Sequence, residues 1–298
     1  MKLTVRQMQV FEAVATLGSV TRAAEKLGMS QSGASMALTD IQVILGRTLF
    51  AHSKGRKLEI TDEGRRLAPL VKSILGRIEE LEQLGAEEEL RGTLTIGASP
   101  LIAETILPRL CIDFMAQHPN VRVQVDVEAT HTLIERMTRF ELETALIEIL
   151  PKIDGIELLR WRSDEQVLVV AADHPLAQRR ALRIVDLAGH AWCTREAASS
   201  SSAYLRYLLN AKIGDIDVAF AASSNWAVRR AVIAGGGIGC LSRSLVQFDL
   251  DTGRLVQLDV ADFRYVRPLS LARSPAIWRG QLTRAFDAYL LEHSDGVD

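Results

Sequence analysis

The chain has 298 residues, 48% apolar and 24% charged, with a formal net charge of −2. That length allows two or three domains, and the composition fits a soluble globular protein without a run of 18 apolar residues to span a membrane. The N-terminus, MKLTVRQMQVFEAVATLG, mixes charge into an amphipathic pattern and lacks the apolar core and cleavage site of a secretory leader, so the chain is expected to stay in the cytoplasm.

Residues 19–50, SVTRAAEKLGMSQSGASMALTDIQVILGRTLF, read as two helices joined by a short turn. Ser19 is a good N-cap, and Ala23, Ala24 and Leu27 recur at helical spacing. Gly28 stands where a left-handed residue is wanted, Met29 lies in the turn and Ser30 can cap the second helix. Ala34, Leu38, Ile41 and Leu45 give that helix a buried stripe. Its opposite face carries Gln31, Ser32, Ser35, Met36 and Thr39, side chains suited to reaching base edges in a major groove. This is a helix-turn-helix pattern. An ordinary helical hairpin with a solvated polar face would share it, but the following segment weighs against that. Leu49-Phe50 begins an extended stretch, Ser53 to Arg56 makes a basic turn with Gly55, and Lys57 to Ile60 runs back, a hairpin signal that reads as a wing. Lys54, Arg56 and Lys57 would meet phosphates, contacts that position a protein on DNA without reading sequence. Residues 1–60 hold eight Lys/Arg against four Asp/Glu, a balance of +4, which leaves −6 for the remainder. A basic head on an acidic body is expected when only the head touches nucleic acid.

Leu3 to Gly18, the SVTRAAEKLGMSQSGAS motif, LGRTLFAHSKGRKLEITDEG and a downstream LTIGAS together resemble the LysR-type transcriptional regulators, in order and over essentially the full length. The resemblance implies a multidomain chain: a mainly helical winged helix-turn-helix (1–60), a long linker and dimerisation helix (61–90), and an α/β two-lobed effector-binding domain of the periplasmic-binding-protein type 2 kind (91–298). Lobe I would take about 91–162 and 266–298, and lobe II about 163–265. Ser32 and Gly33 stand where the family often has Pro and Ala, and Met36 where it often has Arg. A methionine cannot make the bidentate guanine contact that arginine can.

Thr61 should cap a helix from Asp62 to about Glu88, with acids in its first turn as the helix dipole prefers. Leu67, Val71, Ile74, Ile78 and Leu81 follow a 4-3-4-3 spacing, an a/d seam expected to bury itself against a second copy. Such pairing would place two recognition helices on one side, so the operator should be partly palindromic. In the family these linkers pair antiparallel and tetramers are common, so a homodimer or homotetramer is implied. Glu87 to Glu89 and then Arg91-Gly92 mark a hinge.

Beyond Gly92, strands alternate with helices: strand 93–97, helix 101–118, strand 121–127, helix 133–140, strand 145–149, and from Gln166 to Ala171 the start of a second lobe. Alternating units imply a largely parallel sheet with ligands at strand C-terminal ends. The last helix, Ile277 to His293, would return to the first lobe. Three stretches link a strand to a helix with hydroxyl-bearing residues, at 97–100, 129–132 and 195–202, and hydroxyls with free N–H groups at helix starts favour an anion. Each alone would be a simple cap. The family's effector pocket falls at these loops, and carry-over points to Ser99, Thr130, Thr132, Ser199 and Ser200. Arg195 would pair an anion or its neighbour Glu196, and His131 would contribute a switchable charge, although a single loop histidine is more often structural or solvated.

Ala234 to Gly239 is rich in glycine but follows a helix and precedes a strand, so a C-cap and turn account for it better than a nucleotide loop. The segments Asn225 to Val232 and Gly237 to Cys240 are similar to those of members sensing small sulfur oxyanions such as sulfite or sulfate. Cys111, Cys193 and Cys240 are too widely spaced for a metal knuckle, and Cys193, near a loop, is the one place for a redox thiol. No GxSxG, HExxH or metal triad appears, so no catalytic residue, metal or cofactor is expected. The expected partners are double-stranded DNA, a small anionic effector and RNA polymerase, with no membrane. The alternative is a cytoplasmic small-molecule-binding module or scaffold without DNA-binding activity.

Overall fold

The computed structural model describes residues 3–52, 58–82, 89–139, 141–148, 152–197, 199–275 and 278–295. The chain opens with α1 (Val5–Leu17), α2 (Val20–Lys26), α3 (Gln31–Leu45), β1 (Phe50–His52), β2 (Leu58–Ile60) and the long helix α4 (Asp62–Glu82). Next come β3 (Gly92–Ala98), α5 (Pro100–Thr105), α6 (Leu107–Gln117), β4 (Val121–Val127), α7 (Thr130–Thr138) and β5 (Thr144–Ile147). The rest is β6 (Glu157–Ala171), β7 (Ala191–Arg195), α8 (Ser200–Ile213), β8 (Asp217–Ala222), α9 (Asn225–Ile233), β9 (Ile238–Ser242), α10 (Arg243–Asp251), β10 (Leu255–Gln257), β11 (Tyr265–Arg273) and α11 (Gln281–Glu292). Among the described residues no helix is long and apolar enough to cross a membrane. Contacts divide the chain into two units. The first is Met1–Pro100, Arg109–Arg160 and Ser270–Asp298, and the second is Leu101–Pro108 and Trp161–Leu269.

In the first unit the head forms where its sequence punctuation demands. The Ser19 hydroxyl accepts from the Arg22 N–H at 3.3 Å and the Ser30 hydroxyl from the Gly33 N–H at 3.1 Å, satisfying orphan donors at the starts of α2 and α3. Gly28 turns the chain between them with φ 62°, a left-handed conformation that costs glycine nothing. Ala13, Ala23, Ala24 and Ala34 are buried with Phe11, Leu38 and Ile41 in one apolar cluster. β1 and β2 pair antiparallel, Phe50 opposite Ile60. Thr61 ties the wing to α4: its hydroxyl donates to the Thr48 carbonyl oxygen at 2.7 Å and accepts from the Gly64 N–H at 3.1 Å. Gly64 then packs so closely that a Cβ there would overlap the Leu49 carbonyl oxygen.

The apolar stripe of α4 serves two faces. Val71 is only 3% exposed and, with Leu67 and Leu75, completes the head's own core. Val71 and Leu67 therefore do not belong to a free seam: a stripe wide enough to cover the head turns those positions inward. Leu70 and Leu81 are exposed, at 60% and 65%, and Ile74 is exposed beside them while Ile78 is half-buried. The end of the expected helix, through Glu88, lies outside the described residues. On another side α4 meets the α/β part of the same unit, where Lys72 Nζ bonds a Glu143 carboxylate oxygen at 2.8 Å and Gly76 leaves room for the Trp278 ring.

The sheet of this unit runs β4-β3-β5-β11, with β3 parallel to β4 and β5, and β11 antiparallel to β5. Leu133, Met137, Leu142, Ala145 and Ala272 form an apolar layer on it, and Phe114 packs edge-on against Phe286 at 4.9 Å. In the second unit β10 and β9 both run antiparallel to β6, and β9, β7 and β8 run parallel to one another. One apolar layer centres on Trp192, Leu205 and Leu209, another on Val228, Val232, Leu241 and Val246.

Several boundaries differ from those read in sequence. The helix expected over 101–118 breaks into α5 and α6, because Pro108 has no N–H to continue a helix and fits only in a first turn. The next helix starts at Thr130 rather than Leu133, which draws the Thr130 to Thr132 segment out of its loop. β5 is shorter than expected and shifted to Thr144, β6 begins at Glu157 instead of Gln166, α8 begins at Ser200 rather than near Ala203, and α11 starts at Gln281 instead of Ile277. The glycine run behaves as a helix stop, with Gly236 N–H bonded to the Ala231 carbonyl oxygen at 2.9 Å.

Replacing Gly64 with alanine should destabilise the protein by about 1–3 kcal/mol, the cost of overpacking against rigid backbone. Denaturant unfolding of the full chain checks this, and a Gly64→Ala protein that unfolds at the parent's midpoint would contradict the close packing.

Candidate functional site

Along α3 the two faces separate cleanly. Ala34, Leu38 and Ile41 are buried in the head, while Gln31, Ser32, Ser35, Met36 and Thr39 are all exposed. These five side chains therefore stand ready for a partner and contribute nothing to the core. Ser32 Oγ lies 3.2 Å from Ser30 Oγ, and Thr39 Oγ1 donates to the Ser35 carbonyl oxygen at 3.0 Å. Gln31 opens the helix, and its amide offers both a donor and an acceptor, the pair of groups that can read adenine. Arg22 and Lys26 on α2 are exposed as well and keep the head basic beside α3. Arg6 is held back from that role: its guanidinium donates to the Leu27 carbonyl oxygen at 2.7 Å and clamps α1 onto the turn. Lys54, Arg56 and Lys57 of the wing lie outside the described residues.

In the effector half of the first unit, Ser99 follows β3 and Thr130 follows β4, and the two strand ends are neighbours. The Ser99 N–H donates to the Leu146 carbonyl oxygen at 3.0 Å, and the residue is only 1% exposed. Among the described residues its hydroxyl nonetheless has no hydrogen-bond partner. A buried, unpaired hydroxyl costs roughly 1–3 kcal/mol, so its retention calls for a reason. Thr130 and Thr132 are half-buried in the first turn of α7, whose N-cap, Ala129, offers no side-chain acceptor. His131 between them is exposed.

The second unit holds a comparable group. Thr194 and Arg195 end β7, and Ser199 stands at the N-cap of α8, of which Ser200 is the first residue. Ser199 makes no capping bond; its hydroxyl pairs instead with that of Ser201 at 2.8 Å. Thr194 and Ser202 are buried, and among the described residues neither hydroxyl has a partner. The Nε groups of Arg195 and Arg206 are buried and have no hydrogen-bond partner among the described residues, although Arg195 reaches Glu196 loosely at 3.9 Å. Thr194 and Ser202 escape a reading of sequence, since one is a strand residue and the other a single serine among four. Only the strand-to-helix rule, extended one residue back into the strand, would have flagged Thr194.

The cysteines are not poised for redox work. Cys111 and Cys193 are buried and Cys240 is partly so. Burial pushes the Cys111 thiol up to about 11 and Cys240 up to about 12, and it raises Cys193 as well. A thiol held protonated is a poor nucleophile. Among the described residues no group of His, Cys, Asp or Glu is arranged to hold a metal ion.

Two family profiles match the chain. "Bacterial regulatory helix-turn-helix protein, lysR family" covers residues 5–65, and "LysR substrate binding domain" covers residues 87–295. An uncharacterized HTH-type transcriptional regulator of Escherichia coli (strain K12), YeiE, is 32% identical over 269 residues, 90% of each chain. Among solved structures, a full-length OxyR variant from Pseudomonas aeruginosa is similar with a TM-score of 0.74 at 17% identity, covering 98% of this chain and 94% of that one, a likeness of fold. The regulatory domain of CcmR from Synechocystis PCC6803, solved in complex with 2-PG, is similar with a TM-score of 0.63 at 23% identity, covering 70% of this chain and 99% of that one.

The folded protein should resist thiol alkylation at about pH 8, with all three cysteines reacting only on unfolding. Mass spectrometry after a brief iodoacetamide pulse checks this, and stoichiometric labelling of Cys193 in the native state would contradict its burial.

Proposed function

Because this chain belongs to the LysR family of DNA-binding transcriptional regulators, we propose that it reads a partly palindromic operator as a homodimer or homotetramer and changes its grip in response to a small anion. The family are regulators, so the chain is not an enzyme. Residues 1–60 act as the head, 61–90 as the linker and 91–298 as the effector half. The observation that carries the DNA reading is the division of α3 into a buried apolar face and an exposed face of Gln31, Ser32, Ser35, Met36 and Thr39. The wing residues Lys54, Arg56 and Lys57 hold phosphates and supply the sequence-independent share of affinity. Pairing of copies uses the outward row of α4, Leu70, Ile74 and Leu81 with Ile78 beside it. Two heads on one side of such a pair would meet half-sites spaced by whole turns of DNA.

The effector reading rests on buried polar groups that lack partners. In the first unit Ser99 is such a group, with Thr130 and Thr132 at the helix start after the neighbouring strand; in the second, Thr194 and Ser202 are such groups, with Ser199 and Ser200 at the start of α8. An unpaired guanidinium N–H is a donor kept available, and an unpaired hydroxyl can donate too, so both suit an oxyanion. CcmR, on a similar fold, was solved with the small molecule 2-PG, which supports a small effector here. A sulfur oxyanion is one member of the class. An effector that binds one arrangement of the protein more tightly than another shifts the population of that arrangement, and with it contact to DNA and RNA polymerase.

Binding to duplex DNA measured across salt concentrations tests the first part. The logarithm of affinity should fall steeply and linearly with that of salt, and Arg56→Glu should reduce the slope by about 1. A flat dependence would favour the alternative, a small-molecule-binding scaffold. For the second part, a thermal-shift panel of small anions and organic acids should raise the unfolding midpoint with at least one compound. Ser99→Ala should weaken that response about tenfold while leaving operator binding intact; loss of both together would count against Ser99 as an effector contact.

A further inference from the structure

Helix α3 offers DNA a face without cations. From Gln31 to Leu45 the only charged residue is Asp40, so no side chain of this helix can fork onto the O6 and N7 of guanine. In place of a cation stands an apolar row. Met36 is 66% exposed and Val43 is 74% exposed, and Thr39 lies between them. Positions three and four apart on a helix are neighbours on one face, so the three side chains line up, with exposed Asp40 along one edge of the row. Thr39 belongs to the row because its hydroxyl is engaged with the Ser35 carbonyl oxygen at 3.0 Å, which turns that donor onto the helix rather than toward a base edge.

Met36 is the member best placed to read a base. It stands among Ser32, Ser35 and Thr39, short side chains that let the helix approach a groove floor closely, and it is the longest of the group. We propose that Met36 is a specificity-determining residue and that it selects thymine through the C5 methyl group. The thymine methyl is the one apolar group on the base edges of the major groove. Opposite any other base, a thioether would cover donors or acceptors without satisfying them, and an unmade hydrogen bond is costly. The flexible, unbranched side chain of methionine can shape itself around a methyl without a fixed register. Attraction to one methyl and rejection of exposed polar edges act in the same direction, which is how a residue without hydrogen-bonding power discriminates.

Full-length protein is used to enrich duplexes from a random pool, and each thymine of the enriched sequence is then replaced in turn by deoxyuridine, which removes only the C5 methyl. One thymine per half-site should show a loss of affinity of roughly three- to fivefold on replacement, the worth of burying one methyl group. That penalty should vanish in Met36→Ala and persist in Met36→Leu, whose apolar tip remains. Met36→Arg should shift the preferred base at the same position from thymine to guanine. Because Met36 is exposed, unchanged unfolding midpoints are expected for all three variants. A scan in which no thymine responds, or a Met36→Ala protein that keeps the parent's penalty, overturns the proposal while leaving salt-dependent DNA binding in place. So does a Met36→Ala protein with unaltered base preference but altered oligomeric state, which would assign the side chain to a protein contact.

Discussion

Ala13, Ala23, Ala24 and Ala34 are almost wholly buried where α1, α2 and α3 meet, and the lack of side-chain bulk there lets three backbones approach closely. Much else follows from that approach. With its inner face closed by Leu38 and Ile41, α3 owes nothing to the core on its outer face, and short side chains can occupy that face without loss of stability. The turn must then be tight, which Gly28 permits, and both helices must start abruptly, which Ser19 and Ser30 arrange. The same core needs a fourth wall. α4 supplies it with Val71, Leu67 and Leu75, so the linker begins as part of the head.

This sharing explains what could be read in the chain and what could not. Caps, glycine stops and apolar periodicity are local, and they place α2, α3, β1, β2 and the start of α4 within a residue or two. The 4-3-4-3 stripe of α4 is equally local, but it records only that a residue is buried, not against what. Val71 looks the same in sequence whether it faces a second copy or its own head, and only the packing separates Val71 from Leu70. In the effector half, Val121–Val127 matches expectation because its alternation is regular, and the stretch 101–118 is mostly helix as expected, broken once before Pro108, which periodicity alone does not mark.

The effector residues divide in the same way. Ser99 was legible because it follows a clear strand and precedes a helix. Thr194 was not, since a threonine in a strand reads as ordinary β propensity. What marks it is the absence of a hydrogen-bond partner for its buried hydroxyl, a property of the folded environment. The contrast with nearby polar clusters is instructive. The Asp287 carboxylate is buried yet bonded to Arg279 at 2.7 Å and to the Thr144 hydroxyl at 3.1 Å, and the Arg229 guanidinium holds Asp249 through two bonds of 2.5 and 2.8 Å. Those groups satisfy one another and specify the fold. The Ser99, Thr194 and Ser202 hydroxyls have no such partner among the described residues.

β5 joins two of these themes. Its four residues are all buried, the Leu146 carbonyl near one end holds the Ser99 amide, and Glu143, just before the other, holds Lys72 of α4. A strand rises about 3.3 Å per residue and stretches little, so the two anchor points are fixed roughly 10 Å apart. Mechanically it is a strut between the seat of Ser99 and the shaft that carries the head. Whatever play exists between its two ends lies outside the strand, in the Lys72 and Glu143 side chains that join it to α4.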